Sequence, residues 1–165
     1  MHDPIDPLVR TAVHEAGHAV VGLIFFPDDI HYASIEQGEG FLGMVAMSDR
    51  WNQMLEDSLE RFHEQQAVFL AGRAAEELIC RDYQRAGLLK DEEIAYEAFY
   101  GYWRSHRDLG LDEVEVGETA LALARRTLEK ERALLNAVAV ALALKTTIPR
   151  ERLLFLLEKF GTKPR

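Results

Sequence analysis

Apolar residues recur at helical spacing over the first stretch of the chain, at Leu8, Ala12, Val13, Ala16, Ala19, Val20 and Leu23, and run to about Phe26. Asp6 before Pro7 reads as an N-cap followed by proline at the first helical position, and Pro27-Asp28-Asp29 closes the helix. The period then shortens. Ile30 to Glu36 and Phe41 to Met47 read as two strands around the turn Gln37-Gly38-Glu39-Gly40, the pattern of a hairpin. Helical spacing resumes from Met54 to Ile79, through Leu55, Leu59, Phe62, Val68, Ala71, Ala75 and Leu78, with a kink expected near Gly72. Further helices are predicted over Asp91 to about Ser105, Val116 to about Lys130, Glu131 to Lys145, and from Pro149 at a first helical turn to Phe160. The expected architecture is mainly α with a small β-hairpin or sheet.

Length and charge narrow this picture. With 165 residues, 48% of them hydrophobic, the chain can bury one core, so a single domain over 1–165 is expected. A net charge of −9 speaks against a nucleic-acid partner, since phosphate backbones are bound by clustered Lys and Arg. The longest apolar runs, Ala19 to Phe26 and Ala133 to Leu144, fall short of the roughly 18 to 20 residues that span a bilayer, so no membrane segment is expected. A lone Cys80 and no basic-then-apolar leader suit a reducing compartment, and a cytoplasmic location is the expectation.

Within the first helix, His14-Glu15-Ala16-Gly17-His18 reads H-E-x-x-H, the pattern of a zinc peptidase helix. Residues four apart are offset by about 40° around the axis and about 6 Å along it, so two imidazoles can close on one zinc ion. Glu15 sits beside that ion rather than on it, as suits a carboxylate that takes a proton from metal-activated water. At this composition, chance would supply about 0.02 such matches, before any helical context is required. The bland alternative is two surface histidines on an ordinary amphipathic helix. His2, His31, His63 and His106 have no ligand-spaced partner and read as structural or surface residues. The aromatics Tyr96, Phe99, Tyr100, Tyr102 and Trp103 fit core packing better than substrate stacking.

The run Thr11 to Val21, T-A-V-H-E-A-G-H-A-V-V, resembles the metal-binding helix of the FtsH family of ATP-dependent zinc peptidases. Leu70 to Leu78, L-A-G-R-A-A-E-E-L, is similar to that family's G-R-A-A-E-E segment, and Gly87 to Asp91 occupies the place of its G-A-x-N-D segment. The C-terminal helices follow the same order. A metzincin would need Gly and a third His where Val21 and Ile24 stand, which removes that class. The resemblance implies an FtsH-like zinc peptidase domain standing alone. No G-x-x-x-x-G-K-[ST] occurs, so neither the ATPase ring nor a membrane anchor is expected with it.

Catalytic zinc usually takes three protein ligands, and the resemblance implies Asp91 beside His14 and His18. Asp91 follows a glycine turn and begins a predicted helix, so a plain N-cap is its competing role. Glu76 is the rival third ligand, from the other matched segment, or else a carboxylate just outside the ligands. Glu76 and Glu77 also fit as surface carboxylates paired with Arg73 at i−3 and i−4. The segment Arg85-Ala86-Gly87-Leu88 and Lys90 depart from the family's residues around the third ligand. The resulting expectation is a zinc metalloendopeptidase with Glu15 as catalytic base, ATP-independent by itself, acting on peptides or unfolded proteins and dependent on a separate unfoldase for folded ones. An edge strand near Phe41 to Met47, with Gly43 allowing close approach, would align the substrate. Self-association into a homo-oligomer is expected by the resemblance and by the apolar residues Ala120, Leu121, Leu123, Ala124 and Leu128. The alternative is a catalytically weak or inactive metal-binding assembly or regulatory domain.

Overall fold

Asp6 accepts a hydrogen bond from the Leu8 amide at 2.8 Å and Pro7 takes the first helical position, so α1 (Pro7–Phe25) starts where the capping signals put it. The computed structural model describes residues 5–38, 42–51, 58–83 and 85–162. After α1 come β1 (Ile30–Ser34) and β2 (Met44–Met47), then α2 (Leu59–Ile79), α3 (Arg85–Ser105), α4 (Glu113–Lys130), α5 (Arg132–Lys145), β3 (Thr147–Pro149) and α6 (Arg150–Phe160). β1 pairs antiparallel with β2, Ala33 opposite Val45, which is the predicted hairpin, although Gly40 and Phe41 lie outside the described residues. The predicted start of the second helix, at Met54, also lies outside them. α2 runs unbroken through Gly72.

Two elements differ from the sequence expectation. β3 pairs on the other side of β1, Ala33 opposite Ile148, giving a sheet of order β2-β1-β3. Three residues ending in proline carry no readable alternation, so only the long-range pairing reveals this strand. The second difference is α3, which begins at Arg85 rather than Asp91. Leu88, Leu89 and Lys90 are good helix formers, and Gly87 costs only about 1 kcal/mol against Ala in a helix. Asp91 is therefore a helix-interior residue and not an N-cap.

α1 is the central element. It packs against α2, α5, the sheet and, less extensively, α4 and α6, and Ala12, Val13, Ala16, Ala19, Val20, Val21 and Leu23 are all buried. The closest approach is to α2. A Cβ added at Gly17 would collide with the carbonyl oxygen of Ala71 and come within 2.7 Å of Ala75 Cβ. No side chain larger than hydrogen fits there, and small residues on both sides let the two backbones meet. α2 is flanked by α4 as well, where the Glu77 carboxylate accepts from Arg73 Nε at 3.0 Å and from Arg125 Nε at 2.8 Å.

The aromatic residues of α3 divide. Phe99 and Tyr102 join Phe62 and Val116 in a small second core, with Tyr102 stacked on Phe62 at 4.1 Å, while Tyr96 and Tyr100 are exposed. That core fastens α3 to α2; such a ring pair contributes about 0.5–1.5 kcal/mol beyond its buried area. On α4, Ala120, Ala124 and Leu128 are buried in the main core and Leu121 and Leu123 pack on its edge, so these residues are accounted for within one chain. Among the described residues, no helix is long and apolar enough to cross a membrane.

The α1–α2 crossing yields a paired expectation. Gly17→Ala should destabilise the protein by about 1–3 kcal/mol, because the obstacle is backbone that cannot swing aside. Gly117→Ala in α4, where an added Cβ meets nothing within 4 Å, should stabilise it by about 0.5–1 kcal/mol. Urea midpoints of the two variants test both signs.

Candidate metal centre

α1 places His14 and His18 one turn apart on the face turned toward α2, both with 8% of their surface exposed. α3 brings Asp91 to the same point. The Nε2 atoms of the two rings lie 3.1 Å apart, and Asp91 Oδ2 is 2.9 Å from that of His14 and 3.4 Å from that of His18. Each ring is anchored from behind. His18 Nδ1 donates to the backbone carbonyl of Val68 at 2.7 Å, and His14 Nδ1 donates to Glu76 Oε1 at 2.8 Å. A carbonyl can only accept, so the His18 Nδ1 must carry hydrogen, and a neutral imidazole then has its lone pair on Nε2. The Glu76 carboxylate fixes His14 in the same sense.

Two imidazole lone pairs and a carboxylate oxygen thus converge, three acceptors without a donor among them. Such a cluster needs positive charge at its centre. Protons can supply it. Burial opposes protonation of His14, but hydrogen bonds to Asp91 and Glu76 outweigh that penalty and raise its pKa to about 10. His18 is also raised against burial, chiefly by the Asp91 charge. Asp91, although burial favours its neutral form, is held far below the ordinary carboxylate range by His18 and His14.

A metal ion meets the same need, and the donors fit one. An ion about 2.0–2.1 Å from each of its tetrahedral ligands sets them about 3.3 Å apart, and the observed separations of 2.9, 3.1 and 3.4 Å straddle that spacing. Nitrogen, nitrogen and oxygen donors suit zinc, and His14, His18 and Asp91 leave a fourth position open. The floor of the centre is Gly72 of α2. A Cβ there would collide with His14 Nε2 and lie within 2.5 Å of His18 Nε2, so the space beside both ring nitrogens exists only because this residue is glycine.

Glu15 is 6% exposed and lies outside the donor triangle. Burial raises its pKa, and the neighbouring charges of His18 and His14 pull it back. Its side chain packs on Gly43, immediately before β2, where an added Cβ would come within 2.6 Å of Glu15 Cγ. Glu76 stands behind His14, on its Nδ1 side, and is 3% exposed, so it is no surface carboxylate. Of the pair expected to meet Arg73, Glu77 does so at 3.0 Å, while Glu76 turns inward to Arg10 Nη1 at 2.9 Å. Of the lone histidines, His31 is exposed, His106 hydrogen-bonds Tyr102 and stacks on its ring, and His2 lies outside the described residues. Sequence reading missed Arg10, the Val68 carbonyl and the role of Gly72 as floor. Gly72 had a signal, a glycine inside a strong helical pattern, but that signal equally means a kink.

No known family profile matches the chain. The chain is similar to the ATP-dependent zinc metalloprotease FtsH of Thermus thermophilus, at 42% identity over 73 residues. That stretch is 44% of this chain and 11% of the relative, so the chain corresponds to a small part of that protein. The similarity relates the chain to FtsH, a zinc metalloprotease.

Proposed function

We propose that this protein is a zinc-dependent metallopeptidase that hydrolyses peptide bonds in peptides or unfolded proteins. The observation that carries the reading is the convergence of His14 Nε2, His18 Nε2 and Asp91 Oδ2 on one point, with the Glu15 carboxylate alongside and held outside the ligand set. A scaffold that merely bound metal would need no buried base beside it. The similarity to FtsH supports the same chemistry.

Bound at this point, zinc would lower the pKa of a water molecule and polarise the scissile carbonyl. The chain's own residues do the rest. Val68 and Glu76 hold the two rings by their Nδ1 hydrogens, so that both Nε2 atoms stay aimed at the centre. Asp91 contributes a negative charge that balances the cation. Glu15, its proton affinity raised by burial, accepts a proton from the attacking water and delivers it to the leaving amine. None of the residues in these roles calls for a nucleotide, so the hydrolysis they carry out is ATP-independent by itself and acts on substrates already extended.

Glu15→Gln should retain stoichiometric zinc and lose about 10²- to 10⁴-fold in turnover of unfolded casein, since the amide cannot accept the proton. Zinc by metal analysis and casein hydrolysis on the same preparation decide it, and undiminished hydrolysis by the variant would remove Glu15 from its role. Gly72→Ala carries an independent expectation. Its methyl group occupies the space between the ring nitrogens, so the variant should fold, as judged by circular dichroism, yet bind zinc substoichiometrically. One-to-one zinc in that variant would refute the placement of the ion against Gly72.

A further inference from the structure

Arg10 lies one turn before His14 on α1 and is 9% exposed. Its guanidinium forks: Nη1 donates to Glu76 Oε2 at 2.9 Å, and Nη2 donates to Asp82 Oδ1 at 2.7 Å. The same Glu76 accepts from His14 Nδ1 through its other oxygen at 2.8 Å, so Arg10 is joined to a metal-facing ring through one carboxylate. The second arm reaches a different element. α2 ends at Ile79, the chain turns through Arg81 with φ at 64°, and Asp82 follows in the connection that leads into α3, the helix bearing Asp91.

This arrangement makes a poor stability device. Removing a guanidinium and a carboxylate from water costs several kcal/mol per ion, and Arg10 Nε has no hydrogen-bond acceptor among the described residues. What the planar fork supplies is direction, since two carboxylates met by one guanidinium have little freedom left. One of them orients a histidine. The other stands just before the helix that carries the third donor.

We propose that Arg10 is a positioning residue of the metal centre. Through Glu76 it keeps the His14 Nδ1 hydrogen engaged and Nε2 aimed inward, and through Asp82 it sets where α3 delivers Asp91. The inference rests on the zinc reading above for its consequence in affinity, whereas its effect on the His14 ring concerns the metal-free protein as well.

The test compares wild type, Arg10→Lys and Asp82→Asn as full-length chains. Lysine keeps the charge but, as a point charge, cannot bridge both carboxylates, and Asp82 has a 68% exposed side chain whose replacement leaves the core intact. Chelator competition should show the zinc Kd raised about tenfold or more in Arg10→Lys and a few-fold in Asp82→Asn, with melting temperatures recorded alongside. In ¹⁵N-histidine-labelled protein, the His14 Nδ1 hydrogen, assigned by its loss in His14→Gln, should be a downfield, slowly exchanging resonance. In Arg10→Lys it should move upfield and exchange faster, a change that general loosening of a folded protein would not confine to one ring. A folded Arg10→Lys with wild-type zinc Kd and an unaltered ring resonance would overturn the proposal, and an unchanged Kd in Asp82→Asn would overturn its α3 arm. Should wild type bind no zinc, the metal reading fails. The ring resonance still decides the role of Arg10: an upfield shift with faster exchange in Arg10→Lys supports it, and an unaltered resonance refutes it.

Discussion

Gly17 of α1 faces the backbone of Ala71, and one helical position further Gly72 faces the rings of His14 and His18, so the two helices meet where neither carries bulk. The distance between α1 and α2 follows from that contact, and the centre follows from the distance. At this spacing the Val68 carbonyl reaches His18 Nδ1 and Glu76 reaches His14 Nδ1, both from α2. A wider crossing would leave both rings free to rotate and their lone pairs without a common target. Packing therefore does the work of orientation, and the hydrogen bonds lock what packing allows.

Electrostatics sets the second constraint. The centre and its surroundings bury two imidazoles, Glu15, Glu76 and Arg10, with Asp91 four-fifths enclosed. Burying any of these ions alone would cost several kcal/mol. The arrangement alternates charge outward, from Asp82 and Glu76 through Arg10 on one side to the histidines and Asp91 on the other. A cation at the middle would complete that alternation, and the neighbouring carboxylates raise the proton affinity of both histidines for the same electrostatic reason. Glu15 is set apart because burial raises its proton affinity while the charges of His18 and His14 oppose that rise.

The third element of the centre arrives by a separate route. α3 is attached through the stacked pair Phe62–Tyr102 and the buried Phe99 at its far end, and through the Asp82 connection at its near end. Between these attachments stands Asp91, whose carboxylate meets the Nε2 atoms of both rings. Being inside a regular helix, Asp91 has a backbone fixed on both sides, which suits a donor that must be placed to a few tenths of an ångström better than a loop or a fraying helix start would.

The sequence by itself determined the helices, the hairpin and the His14-Glu15-His18 face, because these depend on periodicity, capping and i,i+4 spacing, all of which are local. It also marked Asp91 and Glu76 as the carboxylates to consider, through the FtsH resemblance. Their placement was a tertiary matter. Asp91 is 77 residues from His14 and Glu76 is 62, and nothing in local spacing says which of them reaches Nε2 and which Nδ1. The start of α3 was misread because Gly87 looked like a turn, whereas the packing of the helix outweighs one glycine's cost. β3 was invisible for a related reason, being three residues whose identity as a strand comes from β1 alone. Arg10 and Gly72 complete the lesson. Each reads as ordinary along the chain, one a helix cation and the other a helix breaker, and each acquires its role only from what the folded chain puts beside it.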